Sequence, residues 1–178
     1  MTSLETSRLI MREWLPSDCD DLFEYACIPE VALSAGWNPH KTIEDSLEVI
    51  CGIYPDSCYA LELKDSGKVI GNIGFHETSL CRSIRCLRSR EIGFNLNPKY
   101  WNNGYMTEAA TAVCDFSFDV LNMDYLWLAH FPDNYRSKRI AQKLGFRFVC
   151  NHRQSVAQLD GQTVTERLYI KLNRSVFA

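Results

Sequence analysis

Asn102, Asn103 and Gly104 stand just before a helix-forming run that starts at Thr107 and continues through Ala109, Ala110, Val113 and Phe116. A glycine-bearing loop followed by a helix N-terminus can hold an anion. The first N–H groups of a helix lack internal acceptors, and the macrodipole adds partial positive charge there. Gly104 carries no Cβ, so an anionic oxygen can come close to the backbone. Farther along, Asn134 and Ser137 open a second helical run. Asn is a good N-cap, and at a cleft a capping side chain stays exposed to a ligand. Ser137, on the first turn, reads either as a group near a reacting centre or as a plain surface residue. Glu91, His76 and His130 are candidate proton acceptors, each near an end of a strand-like run. Glu91 reads equally as an ion-pair partner of a nearby arginine, and His130 as a structural strand-end residue. The sequence contains neither G-x-x-x-x-G-K-[ST] nor a G-x-G-x-x-G after a strand, so neither a P-loop nor a dinucleotide fingerprint is present.

The elements that must position these residues follow from patterning. Residues 6–13 alternate as a partly buried strand, with Leu9 and Met11 inward. A helix is expected from Ser17, capped there with Asp20 as partner, along the stripe Leu22, Phe23, Tyr25 and Ala26. Residues 29–40 read as loop, and Thr42 with Asp45 as capping partner starts another helix. Runs 58–63 and 69–75 flank a turn at Gly67, which predicts a hairpin. Residues 79–90 break the pattern and carry Arg82, Arg85, Arg88 and Arg90, a solvated loop or an anion contact. Strand 91–96, a helix from 107, strand 125–131 and a helix ending at Gly145 come next, followed by strands 146–149 and 167–172 about a turn at Asp160-Gly161. The order predicts one α/β domain over residues 1–178 around a largely antiparallel sheet.

A chain of 178 residues suits one domain and buries roughly 70% of its unfolded surface. Hydrophobic content of 46% and charged content of 23% are ordinary for a globular protein. A formal net charge of −3 argues against a general nucleic-acid or membrane-surface binder. The first residues lack a basic segment followed by an apolar one, and no run is long enough for a membrane span, so a cytoplasmic address is expected. The eight cysteines form no C-x-x-C and match no zinc spacing, so no metal is expected. In a reducing compartment they read as small core or surface residues, with Cys81 and Cys86 close enough to oxidise.

Three stretches also carry a family resemblance. E-I-G-F-N-L-N-P-K-Y-W-N-N-G-Y-M-T-E-A, from Glu91, resembles motif A of the GNAT N-acetyltransferases, and its wording is most similar to their RimJ/RimL branch, which acetylates protein N-termini. The opening T-S-R-L-I-M-R-E-W is similar to the start of RimJ/RimL proteins. N-Y-R-S-K-R-I-A-Q-K-L-G-F, from Asn134, resembles motif B. The resemblance implies the GNAT fold, with about seven mostly antiparallel strands in a mixed sheet and four helices. It implies acetyl-coenzyme A as donor and an amine as acceptor, in a monomer or homodimer. On this pattern Trp101, Asn102, Asn103, Gly104, Tyr105, Met106 and Thr107 grip the pyrophosphate. Phe94, Asn95 and Leu96 pair with the pantetheine arm, and a bulge splays their strand from the one holding His130. Asn134 and Ser137 meet the arm and the departing sulfur. Glu91 leads as the base, Ser137 serves the catalytic step, and Trp37 and His76 face the acceptor; His40 is a further candidate there. Trp37 reads equally as a loop anchor. Three positions depart from the superfamily, one of them Trp101, which stands where much of it has Gln or Arg and agrees with the RimJ/RimL wording. Ala141 stands where some members carry a tyrosine acid, and Met106 is bulkier than the usual residue. The acceptor stays open among N-terminal α-amines, antibiotics and polyamines. A non-catalytic acyl-coenzyme A module is the alternative.

Overall fold

A computed structural model of the chain describes residues 2–77, 87–156 and 159–176. The elements run β1 (Leu4–Glu5), β2 (Leu9–Arg12), α1 (Cys19–Ala26), α2 (Pro29–Ser34), α3 (Ile43–Gly52), β3 (Cys58–Leu63), β4 (Val69–His76), β5 (Ser89–Leu96), α4 (Tyr105–Asp119), β6 (Tyr125–His130), α5 (Tyr135–Lys143), β7 (Arg147–Val156) and β8 (Gln162–Leu172). Short 3-10 turns, Pro16–Asp18 and Pro98–Tyr100, precede α1 and follow β5. The eight strands form one mixed sheet in the order β1-β2-β3-β4-β5-β6-β8-β7. Every neighbouring pair is antiparallel except β5–β6, which is parallel.

Strand alternation divides the side chains between two faces. One face carries Leu9, Met11, Ile73, Ile92, Leu126 and Leu128, which pack with Met106, Ala109, Ala110 and Val113 of α4 and Ala141 of α5. Each fully buried aliphatic side chain of this kind contributes roughly 1.5–3 kcal/mol. Toward the other face lies a second cluster, Leu22, Tyr25, Ala26, Val31 and Ile50, drawn from α1, α2 and α3. Among the described residues no helix is long and apolar enough to cross a membrane.

Several local expectations are met. Thr42 Oγ1 accepts from the Asp45 backbone N–H while Asp45 accepts from the N–H of Thr42. Gly145, at φ +78°, follows the last turn of α5. Others need correction. The cap before α1 is not built on Ser17 and Asp20: the Asp18 carboxylate accepts from the Leu15 N–H at 2.8 Å and pairs with Arg12 at 2.7 Å. Residues 29–34 form α2 rather than loop, because Pro29 suits a first helical position and Val31 and Ala32 are buried. Among the described residues β1 and α2 bring the count to eight strands and five α-helices rather than about seven and four. The last two strands extend across residues read as a connection, and turn through Asp160 (φ +54°) and Gly161 (φ +75°). Arg82, Arg85, Cys81 and Cys86 lie outside the described residues. Arg90 pairs with Glu77 at 2.9 Å, and the Arg88 N–H donates to Asp124.

Candidate active site

The parallel ladder between β5 and β6 is short. It pairs Ser89, Arg90 and Glu91 with Tyr125, Leu126 and Trp127, and then the strands part. On its other edge β5 stays in register with β4 from His76↔Glu91 to Gly71↔Leu96. The opening therefore forms without the register shift that a bulge on β5 against β4 would produce. Between the parted strands lies a cleft of about 1090 Å³. It is walled by the start of α4, the first turns of α5, α2 with the segment after it, and the β7–β8 hairpin.

One end of the cleft is the start of α4. The helix begins at Tyr105, two residues before the expected Thr107, so residues 105–107 supply its first-turn N–H groups. Gly104 is left-handed at φ +83° and Asn102 at φ +64°. A Cβ on Gly104 would meet only Arg8 Nη2, at 3.5 Å, so the space beside this backbone is open. The Arg8 guanidinium lies 4.2 Å from the centre of the Tyr105 ring and donates to the Asn103 carbonyl oxygen. Glu108 holds Arg8 there by an ion pair at 2.7 Å and also accepts from Thr6, Ser7 and the Arg8 N–H. Burial would raise the Glu108 pKa, but these hydrogen bonds outweigh it and hold it at about 2. Met106 is buried in the core beneath α4, so its bulk points away from the loop. Asn103 is not brought to the wall: its amide donates to the Trp101 carbonyl, and the side chain closes the loop on itself.

Along the middle, Phe94 and Leu96 pack toward the α4 side and Asn95 points to the opposite face. Asn95 donates to Asn72 Oδ1 at 3.0 Å, and Asn72 donates to the phenol oxygens of Tyr25 and Tyr54. Trp101 donates from Nε1 to the Leu96 carbonyl at 2.8 Å. Arg136 stacks on its ring at 3.7 Å and pairs with Glu30 of α2. Asn134 caps α5 by accepting from the Ser137 N–H at 3.0 Å, and its amide reaches the Ser34 carbonyl of α2. Ser137 and Thr107 both line the cleft. Ala141 is fully buried in the core, so the vacant tyrosine position offers no acid from α5.

The other end carries titratable groups. Glu91 lines the cleft, and among the described residues its carboxylate has neither an ion pair nor a hydrogen bond. The arginine next to it, Arg90, is paired with Glu77 instead. Burial, with a smaller push from Glu166, raises the Glu91 pKa to about 7. His76 is the cross-strand neighbour of Glu91, and burial lowers its pKa. Its imidazole lies over Gly93, where a Cβ would come within 2.7 Å of Nε2; only glycine leaves that room. Trp37 lines the cleft, lies beside His40 with ring centroids 6.4 Å apart, and has its indole N–H buried without a partner among the described residues. His40 also lines the cleft, hydrogen-bonded to Ser46 at 2.8 Å. His130 also lines the cleft but from the other face of the sheet: its Nδ1 binds the Phe131 carbonyl at 2.7 Å and its ring stacks on Tyr169. Sequence reasoning missed Glu166, Gln154, Arg8 and Arg136. The first two lie in the connection-like stretch between the expected last strands, and the arginines needed the tertiary fold, Arg136 to line the cleft and Arg8 to lie beside Gly104.

Comparison with known proteins agrees with this geometry. Residues 8–147 match the family described as Acetyltransferase (GNAT) domain. The chain is 29% identical over 150 residues to the N-acetyltransferase YoaA of Bacillus subtilis, covering 81% of this chain and 82% of that one; its name calls it uncharacterized. A GNAT-family acetyltransferase from Bacillus anthracis superposes with a TM-score of 0.83 at 23% identity, over 97% of this chain and 99% of that one. A protein from Vibrio fischeri described as ribosomal-protein-S5-alanine acetyltransferase superposes with a TM-score of 0.70 at 19% identity, over 98% of both chains. These likenesses to solved structures show a shared fold. With a family match across most of its length and the matching sheet, the chain belongs to the GNAT acetyltransferases and is an N-acetyltransferase.

Proposed function

We propose that the chain transfers an acetyl group from acetyl-coenzyme A to a protein or peptide N-terminal α-amine, in the manner of the RimJ/RimL branch. The observation that carries this reading is the parting of β5 from β6. It opens one cleft with an anion-ready helix start at one end and, at the other, a half-buried carboxylate that has no partner among the described residues. The motif wording supports the branch, as does the likeness to the Vibrio fischeri protein.

The residues fit the donor. The open backbone at Gly104 and the first-turn N–H groups of residues 105–107 suit a pyrophosphate, with Arg8 as a flanking cation. The edge of β5 facing β6 beyond Glu91 has no strand partner and suits an extended amide arm. Acetyl-coenzyme A supplies the acetyl group as an activated thioester. Glu91, ionised, takes the proton of the incoming ammonium. The freed nitrogen would form the C–N bond as the C–S bond breaks, and the Ser137 hydroxyl would relay the second proton of that nitrogen to the departing sulfur, which leaves as a thiol with Ser137 unchanged. The matching of pKa values favours an α-amine. With Glu91 at about 7, the transfer from an α-ammonium of pKa 7.7–8.0 costs about 1 kcal/mol, against about 4–5 kcal/mol from a lysine near 10.4.

Calorimetric titration tests the reading. Acetyl-coenzyme A should bind with micromolar affinity, and Gly104→Glu should abolish binding by placing a side chain and a negative charge where the phosphates lie. An alanine-initiated peptide should then release thiol in the presence of the donor, and the same peptide blocked by Nα-acetylation should not. Absence of binding at millimolar donor by the folded protein, or equal turnover of both peptides, would defeat it.

A further inference from the structure

The acceptor half of the cleft contains a second carboxylate. β6 ends at His130, whose partner on β8 is Arg167. Glu166 thus lies just past the end of β6. Alternation places it on the same face as Leu168, the partner of Ala129, and on that face β6 also carries Trp127, the neighbour of Glu91. Glu91 and Glu166 therefore approach the cleft from strands on either side of β6, and both line it. Gln154 on β7 donates from Nε2 to Glu166 Oε2 at 2.5 Å. That bond steadies the carboxylate and leaves its second oxygen available. Among the described residues neither carboxylate has a cationic ion-pair partner. A carboxylate removed from bulk water without a cation is costly, and a ligand that brings the cation relieves the cost.

We propose that Glu166 is the acceptor-binding residue of this cleft: its free carboxylate oxygen receives the acceptor's ammonium group and holds it for proton transfer to Glu91. The proposal rests on the reading of the cleft as the acetyl-transfer site, and it assigns the selection of the charged acceptor to one side chain. The cross-strand partners of Glu91 are His76 of β4 and Trp127 of β6, Glu166 of β8 lies close enough to act on its charge, and Trp37 and His40 line the same cleft; Glu166 in turn faces Gln154 and His152 of β7. Of these charges it is the one on Glu166 that raises the Glu91 proton affinity, adding to burial. Gln154 and His152 oppose the upward effect of burial on Glu166 itself.

The test uses the full chain, with pentylamine and 1-pentanol as probes of similar size, titrated calorimetrically in saturating coenzyme A at pH 7. Wild type should prefer the ammonium by about tenfold or more. Glu166→Gln, which can still accept from Gln154, should erase that preference while coenzyme A affinity stays within about twofold. Glu166→Asp should keep part of it. In turnover assays Glu166→Gln should raise the acceptor KM. It should also shift the acid limb of kcat/KM to lower pH, because Glu91 loses a negative neighbour. Absence of ammonium preference in wild type, or its survival in Glu166→Gln with an unmoved acid limb, would overturn the proposal. Should ammonium preference depend on Glu166 while no amine is acetylated, the acetyl-transfer reading falls and the binding role stands. Should amines be acetylated with Glu166→Gln indistinguishable from wild type, only the binding role falls.

Discussion

Glu91 combines two demands that oppose each other. As the proposed base it must be ionised, yet Glu91 sits where burial favours the protonated form and lifts its pKa to about 7. Because the folded-state pKa is raised, the contribution of Glu91 to stability is fully present below the ordinary carboxylate range and is lost as pH rises through about 7. Glu91→Gln removes that loss. The variant should be more stable than wild type by about 1–3 kcal/mol at pH 8.5 and nearly equal near pH 4, as measured by denaturant unfolding. The same substitution should lower kcat/KM about a hundredfold and flatten its acid limb near pH 7. Lower stability at pH 8.5, or an unchanged pH profile, would show that the carboxylate is neither strained by burial nor the base. His76 illustrates a second residue-scale point. Its position beside Glu91 depends on the absence of a Cβ at Gly93.

At the scale of elements, the loop between β1 and β2 and the first turn of α4 behave as one unit through Glu108. Four groups from residues 6–8 donate to its carboxylate, and its side chain is only 17% exposed. Its depressed folded-state pKa of about 2 means that its stabilisation is present above the ordinary carboxylate range and lost as pH falls through about 2. Glu108→Gln should therefore cost about 2–3 kcal/mol at pH 7, and the difference from wild type should shrink on acidification toward pH 2.5. A Tm equal to wild type at pH 7 would mean that the donors re-pair with water at no cost. A second inter-element link, Arg136 stacked on Trp101 and paired with Glu30, ties α5, the loop before α4 and α2 around the cleft mouth.

At the scale of the molecule, the sheet is closed at one end of the β5–β6 seam and open at the other. A ligand filling the seam bridges elements that the strands themselves leave apart, so it should bind the folded chain alone. Linkage then gives about 2.7 kcal/mol at a donor concentration 100 times Kd, a rise in Tm of roughly 5–10 °C for a domain of this size. A scan of Tm against acetyl-coenzyme A should follow the logarithm of its concentration, and a flat response at concentrations that saturate calorimetry would contradict binding in the seam.

What the sequence determined by itself was whatever short-range chemistry encodes. The Thr42–Asp45 capping box, the hairpin turn at Gly67, the Asn134 cap and the glycine after α5 are each fixed by a few adjacent residues. The motif wording pointed to the helix start at one end of the cleft for the same reason. It did not tell that Asn103 folds back on its loop or that Met106 turns into the core, since both depend on how α4 docks. Residues 29–34 read as loop because no capping side chain marks the start of α2; burial of Val31 and Ala32 against α1 and α3 makes the helix. The stretch 151–156 has too few apolar residues to read as a strand, and its pairing with β8 comes from cross-strand backbone register. Only that register carries Gln154 and Glu166 to the cleft that holds Glu91. Tertiary structure decided the end of the cleft that holds Glu91 and Glu166 because residues distant in sequence meet there through strand order and the parting of two strands, neither of which a local pattern contains.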